Sequence, residues 1–278
     1  MILVEDGPKL SRIYASRRIL GLLVLRDLKV RYADSALGYL WSVLEPLLMS
    51  LVYWFVFTQI LIRKTGEAPY LLFLLSANLA WTWFAASVSS NLRALRSEAA
   101  LIRSTNLPRE LWILRITCSK AVEFLFALPV VAIVAILYRK SLTGDVVLFP
   151  LAFAMQFVLI TGLGLLLAPL AVLVPDVERI VKIILRVMFY LSPVLYGVAD
   201  VTTTTKNGQV THSQIPKAIQ SVFGLNPMSG ILSLYRSAFF PRELKWHFVA
   251  ESAVGTLLVF ALGVWVFSRL ESPVLKEI

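Results

Sequence analysis

The sequence predicts an all-α polytopic membrane protein, because its charged residues are few and its apolar residues come in long runs. Of its 278 residues, 58% are hydrophobic and only 16% are charged, whereas a soluble domain carries about 25% charged residues. The mean hydropathy is +0.76. Several apolar runs approach about 20 residues, the length that an α-helix needs to cross a bilayer. Lipid is therefore the main solvent of this chain.

Residues 8–32 are predicted to form an amphipathic helix that lies on the membrane surface. One arc of the helical wheel is mainly apolar and carries Leu10, Ile13, Tyr14, Leu20, Val24 and Leu28. The basic residues lie mostly on the rest of the wheel, although Arg17 falls within the apolar arc. Such a helix rests among the lipid headgroups and does not cross the bilayer. The alternative is a water-exposed helix that packs on a partner protein.

Six later segments are predicted to span the membrane, so that residues 1–278 form a single transmembrane domain. The predicted spans lie near residues 36–61, 70–92, 112–138, 148–173, 179–198 and 248–268. The fifth is the shortest, and it carries Lys182 and Arg186 in its first half.

The distribution of basic residues predicts that both termini are cytoplasmic. The N-terminal segment and the loop after span two are rich in Lys and Arg, and loops of this kind stay in the cytoplasm. The short loops on the other side hold only Arg63, Lys64, Arg139 and Lys140. The same distribution explains the formal net charge of +10. Because these residues flank spans and form no basic domain, no nucleic-acid partner is expected.

Residues 215–240 are predicted to form a re-entrant helical hairpin in the outer leaflet, between spans five and six. Pro216 begins a short helix that ends at Gly224, and Asn226 and Pro227 provide the cap and first turn of a second. Each helix is apolar on one face and too short to cross, which fits a hairpin buried against protein. A globular flap outside the membrane is the alternative.

The motifs of most enzymes are absent from the sequence. It contains no GxxxxGK[ST] phosphate loop, which predicts that the chain does not hydrolyse ATP by itself. It contains no HExxH motif and no Cys/His cluster, so no metal or other cofactor is expected on this chain. The single Cys118 excludes an internal disulfide. No cleavable signal peptide is predicted at the start.

Ionisable and aromatic residues within two spans predict a path for a ligand. A charged residue at the centre of a span costs about 2.5–3.5 kcal/mol on insertion scales, so such residues usually face protein or water. One face of span five carries Lys182, Arg186, Phe189, Tyr190, Pro193, Tyr196 and Gly197, and span two carries Asn78 and Thr82 beside Trp81, Trp83 and Phe84. Cations and aromatic rings suit sugars and phosphates. An aromatic belt at the membrane interface is the alternative.

Residues 93–107 are predicted to form a short cytoplasmic helix. Leu92, Leu95, Ala99 and Ile102 share one face of it, and it ends before Pro108. Its combination of charge and an apolar edge suits docking to a soluble partner, and a loop bound to lipid headgroups is the alternative.

Three separated motifs resemble one family. The stretch RDLKVRYADSALGYLWSVLEPLL resembles the entry to the membrane subunit of ABC-type polysaccharide exporters, the type-two permeases that include Wzm and the teichoic-acid permeases. The matching residues are Arg26, Asp27, Leu28, Lys29, Arg31, Tyr32, Ser35, Leu37, Gly38, Trp41 and Pro46. A second motif is carried by Asp176, Phe189, Ser192, Pro193 and Tyr196, and a third by Asn226-Pro227 followed by Tyr235-Arg236. At position 45 the family varies, often with Gln or Asn, so whether the charge of Glu45 is paired stays open.

The resemblance implies a homodimer in the bacterial inner membrane, with two separate ATPase subunits that bind ATP and Mg²⁺. It implies a lipid-linked polysaccharide as the substrate, of O-antigen, teichoic-acid or galactan type. The residues expected to line the channel are Trp41, Glu45, Tyr53, Asn78, Trp81, Thr82, Trp83, Arg186, Phe189, Tyr190 and Tyr196.

The resemblance also implies roles outside the channel. Arg26, Lys29 and Arg31 are expected at the interface, where they could meet a diphosphate. The helix at 93–107 is expected to couple to the ATPase through Arg96, Glu98, Ile102 and Arg103. The hairpin is expected to form the outer gate, with Asn226, Pro227, Met228, Tyr235 and Phe239.

Two other functions stay open from the sequence. A membrane enzyme acting on lipid-linked sugars would need acids near a membrane edge, and the candidates are Asp176, Glu178, Glu243 and Glu251. A permease that exports drugs or small lipids would share the same architecture.

Overall fold

The computed structural model describes residues 9–32, 38, 40–61, 67–199, 203–206, 209–212 and 223–277. These residues are mostly helical. The helices are α1 (Lys9–Ala15), α2 (Arg17–Tyr32), α3 (Leu40–Phe55, continued by a π-helical turn Val56–Ile60), α4 (Tyr70–Asn91), α5 (Ala94–Ser97), α6 (Ala99–Ser104), α7 (Glu110–Leu137), α8 (Phe149–Leu173, preceded by the 3-10 turn Gly144–Leu148), α9 (Asp176–Leu191), α10 (Pro227–Ser237) and α11 (Trp246–Glu277, preceded by the 3-10 turn Pro241–Glu243). The strands β1 (Thr203–Lys206) and β2 (Gln209–His212) pair antiparallel.

Helix α4 lies at the centre of the fold. It is apolar around its whole circumference, and most of its side chains are buried. Helices α3, α7, α8, α9 and α10 all pack against it. The position of α4 brings the polar residues that it carries into contact with several neighbours.

Helices α8 and α11 form the largest helix–helix contact. They approach closely because glycines face each other there: a Cβ added to Gly263 would lie 2.2 Å from the carbonyl oxygen of Gly162. A Cβ added to Gly162 would lie 2.6 Å from Cα of Phe260. Small residues at such a seam are typical of helix pairs in membranes, since they let the backbones pack tightly.

Five stretches of the described chain are long and apolar enough to cross a membrane. They are Leu40–Ile60, Tyr70–Asn91, Glu110–Leu137, Gly144–Leu173 and Trp246–Glu277. Each overlaps one of the predicted spans.

The remaining predicted span, 179–198, coincides with α9 only in part. This helix has 16 residues and ends at Leu191, because Ser192 has an extended backbone before Pro193. The wheel face predicted for span five therefore holds only as far as Tyr190. Pro193, Tyr196 and Gly197 follow the end of the helix and do not continue that face.

Two predicted helices are divided in the structure. The N-terminal helix breaks into α1 and α2 at Ser16, whose hydroxyl donates to the carbonyl of Arg12 at 2.9 Å. The segment at 93–107 breaks into α5 and α6 at Glu98, where φ is −115° and ψ is 20°. The ion pairs of Glu98, described below, accompany this break.

The region between α9 and α11 differs partly from the prediction. A short antiparallel ribbon, β1–β2, lies between α9 and α10, and it is a small addition to a chain that is otherwise helical. Helix α10 begins at Pro227 as predicted, and the Asn226 side chain accepts a hydrogen bond from the Met228 amide at 3.1 Å. The first hairpin helix was predicted from Pro216 to Gly224, and residues 216–222 of it lie outside the described residues.

Candidate functional site

An aromatic groove lies between α3, α4 and α9. Helix α4 contributes Trp81, Ala85 and Ser89 at successive turns, and helix α9 contributes a stripe that repeats every three or four residues. The groove has a volume of about 430 Å³ and is lined by Tyr53, Trp81, Ala85, Ser89, Lys182, Leu185, Arg186, Phe189 and Tyr190. Five residues predicted to line a channel thus come together: Tyr53, Trp81, Arg186, Phe189 and Tyr190.

Phe189 is at the centre of the aromatic contacts in this groove. Its ring centroid lies 5.6 Å from that of Tyr53, 5.7 Å from that of Trp81 and 5.2 Å from that of Tyr190. These are ordinary distances for tilted and edge-to-face pairs. The Tyr190 side chain is 63% exposed and Arg186 is exposed as well. One wall of the groove is therefore open at the side.

A larger chamber with many charged walls adjoins the groove. It has a volume of about 790 Å³, and its cationic walls are Arg26, Arg31, Arg93, Arg115 and Lys182. Ser89 and Lys182 line both spaces, so the chamber and the groove are contiguous. A molecule with an anionic end and a sugar portion could place its charge in the chamber and its rings in the groove.

Four charged side chains from α2, α7 and the α5–α6 break form a network in the chamber wall. The Arg115 side chain is only 6% exposed, and its Nε lies 3.0 Å from Oδ2 of Asp27 while its Nη1 lies 2.7 Å from Oε1 of Glu98. Arg26 Nη2 also contacts Glu98 Oε1, at 2.8 Å. Burial raises the pKa of the Glu98 carboxyl, but hydrogen bonds and charges from Arg115 and Arg26 outweigh burial, so this pKa lies below its ordinary value.

Glu178 joins the start of α9 to the end of α4. Its Oε1 accepts hydrogen bonds from the Arg93 guanidinium and, at 2.6 Å, from Lys182 Nζ. These hydrogen bonds, that of Arg93 first, lower the pKa of the Glu178 carboxyl from 4.5 to about 2. The same contact raises the pKa of Arg93. Glu178 therefore stays ionised at every physiological pH.

We expect Glu178→Gln to lower the thermal unfolding midpoint of the purified chain by about 1–3 °C. The effect is small because ion pairs near the surface contribute little to stability. The lowered pKa means that the carboxylate stabilises the folded state fully above about pH 4.5 and loses this effect only as pH falls towards 2. The deficit should therefore be the same at pH 7 and pH 5 in detergent melting curves. A deficit that vanished at pH 5 would contradict the assigned pKa.

A smaller cavity of about 150 Å³ lies between α3, α4 and α7 and brings three more predicted channel residues together. Glu45, Thr82 and Trp83 line it beside Lys120 and Glu123. Lys120 Nζ lies 2.7 Å from Glu123 Oε2, and Arg31 Nη1 lies 3.3 Å from Glu123 Oε1. Glu45 thus lines a cavity whose wall also carries the cationic side chain of Lys120.

The remaining predicted channel residues have other positions. Asn78 is buried and donates to the Pro46 carbonyl and to the Ser50 hydroxyl, each at 3.1 Å, so it fastens α4 to α3. Tyr196 donates its hydroxyl to the Leu191 carbonyl at 2.9 Å, beyond the end of α9. Trp41 is 48% exposed and lines none of these three spaces.

The predicted interface and coupling residues divide between the chamber and the surface. Arg26 and Arg31 line the chamber, and Lys29 is exposed outside it. In the coupling segment, Arg96 donates to the Val172 carbonyl at 2.8 Å, and Ile102 is buried in a second apolar core beneath α5 and α6. Glu98 is bound to Arg26 and Arg115. Arg103 is exposed, and no contact of its side chain is described.

The predicted gate residues lie on or beside α10, within the core of the chain. Met228, Tyr235 and Phe239 are buried, and Asn226 also donates to the Ser192 hydroxyl at 2.8 Å. Next to them, Arg236 is fully buried and donates to four backbone carbonyls, those of Phe73, Pro193, Val194 and Tyr196. The sequence motif contained Arg236 but gave it no role.

Two of the four acids considered for a membrane enzyme, Glu243 and Glu178, are engaged in hydrogen bonds. Glu243 is 1% exposed and accepts hydrogen bonds from the amides of Val198 and Ala199. Glu178 is bound to Arg93 and Lys182, whereas the Asp176 side chain is 75% exposed. Among the described residues, no group of three or more His, Cys, Asp or Glu is placed to hold a metal ion.

Comparison with known proteins identifies the family. The profile of the ABC-2 type transporter family matches residues 19–205. The chain belongs to this family. The match covers the groove, the chamber and the two short helices α5 and α6.

Relatives of this ABC-2 chain match it along almost its whole length. It is 29% identical over 261 residues to an O-antigen export system permease protein, RfbA, of Myxococcus xanthus, covering 93% of this chain and 95% of the relative. It is 27% identical over 254 residues to the RfbA of Klebsiella pneumoniae, covering 91% and 92%. It is 21% identical over 257 residues to the polysialic acid transport protein KpsM of Escherichia coli, covering 92% and 94%.

Proposed function

We propose that this ABC-2 chain is the membrane-spanning subunit of an ATP-driven exporter for a lipid-linked polysaccharide. The observation that carries the proposal is the aromatic groove opening into the basic chamber. The relatives named as O-antigen export and polysialic acid transport proteins support the substrate class. The substrate is a polysaccharide of O-antigen, teichoic-acid or galactan type on a polyprenyl diphosphate, and the membrane is the bacterial inner membrane.

The chamber and the groove serve different parts of this substrate. Arg26, Arg31 and Arg93 offer guanidinium groups, which bind phosphate oxygens in a bidentate way. Tyr190 and the partly exposed Phe189 offer apolar ring faces on which sugar rings can stack while the hydroxyls stay in water. Trp81 supports Phe189 from behind. Many weak contacts of this kind let a long chain slide, because no single contact holds it tightly.

ATP and Mg²⁺ bind to separate ATPase subunits and not to this chain. The ATPase contacts α5 and α6 through their exposed side, which carries Arg103 and Leu101. The opposite side packs on the second apolar core of the chain through Ile102. Movement of the ATPase therefore reaches the chamber wall through Glu98, which stands between α5 and α6 and is bound to Arg115 on α7.

A second copy of the chain closes the open side of the groove. Helices α3 and α9 flank that side, and both expose large apolar residues there and on the adjoining surface, among them Val52, Phe55, Ile184 and Val187. In this dimer α9 and the residues after it form the sixth span, both termini are cytoplasmic, and α10 belongs to a re-entrant hairpin that acts as the outer gate. The apolar length of the other five spans supports this arrangement.

Tyr190→Ala tests the groove. Loss of one aromatic contact is worth about 1 kcal/mol, so we expect polysaccharide export by the assembled transporter to fall about five-fold, with ATPase assembly intact. Export is measured as surface polysaccharide in cells that depend on this chain. Ile183→Ala is the matched control, because Ile183 is 61% exposed on the same helix but lies outside the groove. Equal export by the two variants would count against the groove as the substrate path.

A further inference from the structure

A second large cavity lies away from the groove and the chamber. It has a volume of about 380 Å³, within the range of ligand pockets, and it shares no lining residue with either of those spaces. Helices α4, α7 and α10 and the turn before α8 enclose it. Its walls are almost entirely apolar and include Leu79, Phe124, Val131, Phe149 and Phe239. Apolar cavities of this kind exclude water and accept hydrocarbon.

The mouth of this cavity is at the end of α7 that lies away from α5 and α6. Ile136 lines the cavity and is 74% exposed, as is its neighbour Leu137. The chain then continues as Tyr138, Arg139 and Lys140. An apolar stretch followed by an aromatic and two cations is typical of the level of the lipid headgroups. Lys140 also lines the cavity, with its Nζ 4.7 Å from the ring centroid of Phe240.

Tyr235 supplies a polar group inside the apolar walls. The residue is 5% exposed and lines the cavity, and its hydroxyl has no hydrogen-bond partner among the described residues. Its ring is held edge-on against Phe124 and Phe149, at centroid distances of 5.6 Å and 5.3 Å. A buried hydroxyl without an acceptor is unfavourable, so the contents of the cavity should include an acceptor atom.

We propose that this cavity binds one acyl chain of an anionic phospholipid. The hydrocarbon fills the apolar walls, an ester carbonyl accepts the hydrogen bond from Tyr235, and the phosphate lies beside Lys140 with Arg139 near it. A plain hydrocarbon would leave the two cations and the tyrosine hydroxyl unused, and a water-soluble anion would leave the apolar walls empty. The cavity shares no lining residue with the groove or the chamber. Tyr235 and Phe239 also belong to the predicted gate, and Leu79 and Phe124 also line the smaller cavity beside Glu45.

Binding of dioleoyl phosphatidylglycerol to the purified full-length chain, counted by native mass spectrometry, tests the proposal. Ala132→Trp should block the mouth, because Ala132 is an exposed lining residue. Ile133→Trp is the matched control, since Ile133 is 55% exposed but does not line the cavity. We expect the wild type and Ile133→Trp to retain one lipid with equal affinity, and Ala132→Trp to bind at least ten-fold more weakly.

Two further arms identify the contacts and the source of the lipid. Tyr235→Phe keeps the ring and should weaken binding several-fold, and Lys140→Ala should abolish the preference for phosphatidylglycerol over phosphatidylcholine. Equal binding by Ala132→Trp and Ile133→Trp, or no headgroup preference in the wild type, would overturn the proposal. Retention of an added polyprenyl phosphate in place of phosphatidylglycerol would overturn it as well, since the occupant would then be a carrier lipid.

Discussion

Arg236→Ala is expected to lower the thermal unfolding midpoint of the purified chain by about 10 °C and to reduce its accumulation in the membrane. Arg236 has no exposed surface, and its guanidinium donates to the carbonyls of Pro193, Val194 and Tyr196 at 2.6–2.8 Å. Those carbonyls belong to the irregular segment after α9, where no helix satisfies them. Buried carbonyls without donors are costly, and removing one partner of a buried charged network costs about 3–5 kcal/mol.

The carboxylate of Glu243 makes this loss larger. Its Oε2 lies 3.8 Å from Nη1 of Arg236, and the Glu243 side chain is nearly as buried as that of Arg236. Without the guanidinium, the buried Glu243 carboxylate would lose this neighbouring positive charge. The guanidinium also lies 3.7 Å from the ring centroid of Phe73 on α4, and this contact ties α10 to the central helix.

Arg242→Ala provides the matched control for Arg236. Arg242 is exposed in the turn before α11, so its removal should leave the unfolding midpoint within about 1 °C of the wild type. Midpoints from fluorescence-detected size exclusion after heating would measure both variants. A similar small shift for Arg236→Ala would show that these carbonyls find other donors, and the structural role given to Arg236 would be wrong.

Arg115→Met is expected to be the second most damaging substitution. It removes the cation that joins Asp27 on α2 to Glu98 between α5 and α6, at 3.0 Å and 2.7 Å. The methionine keeps the volume of the side chain but leaves Asp27 and Glu98 as neighbouring anions with one arginine, Arg26, between them. We expect a loss of about 3 kcal/mol in the free energy of unfolding.

A double-mutant cycle separates this network from general packing. Asp27→Asn removes one of the two anions, so adding it to Arg115→Met should restore at least about 1 kcal/mol of the loss. Arg103→Met is the control on α6, where the side chain is exposed and the expected effect is below about 0.5 kcal/mol. Strict additivity of Arg115→Met and Asp27→Asn in denaturation experiments would contradict the proposed ion network.

The apolar runs of the sequence predicted the long helices well, because length and hydropathy alone decide whether a helix suits a membrane. They did not predict where α9 ends. Ser192 and Pro193 interrupt the helix. The carbonyls after the break accept hydrogen bonds from Arg236, which lies 43 residues after Pro193 in the sequence. A wheel drawn through the break therefore placed Tyr196 on the face of Tyr190. Distant donors of this kind are invisible to local periodicity.

The aromatic part of the groove was predictable, since Trp81 and the α9 stripe repeat with the helical period and include charged residues at membrane depth. Charged residues within a span usually face protein or water, and this rule also applies to Arg115, Lys120 and Glu123 on α7, which were not predicted as site residues. Ala85 and Ser89 are small and uncharged, so the sequence does not mark them as groove residues. Their place in the groove follows from the packing of α4 against α9.

The burial of α4 has a consequence for how the protein is made. This helix leaves the ribosome before α7, α8, α9 and α10, the helices that later cover it. Being apolar on every side, it can remain in lipid until they arrive, and Asn78 already finds its partners on α3, which is synthesised earlier. By contrast Arg236, on α10, is made only after the segment that follows α9, whose carbonyls it satisfies. The α3–α4 contact can therefore form early, whereas the contacts of α10, and of α11 on α8, form only after the rest of the chain has been made.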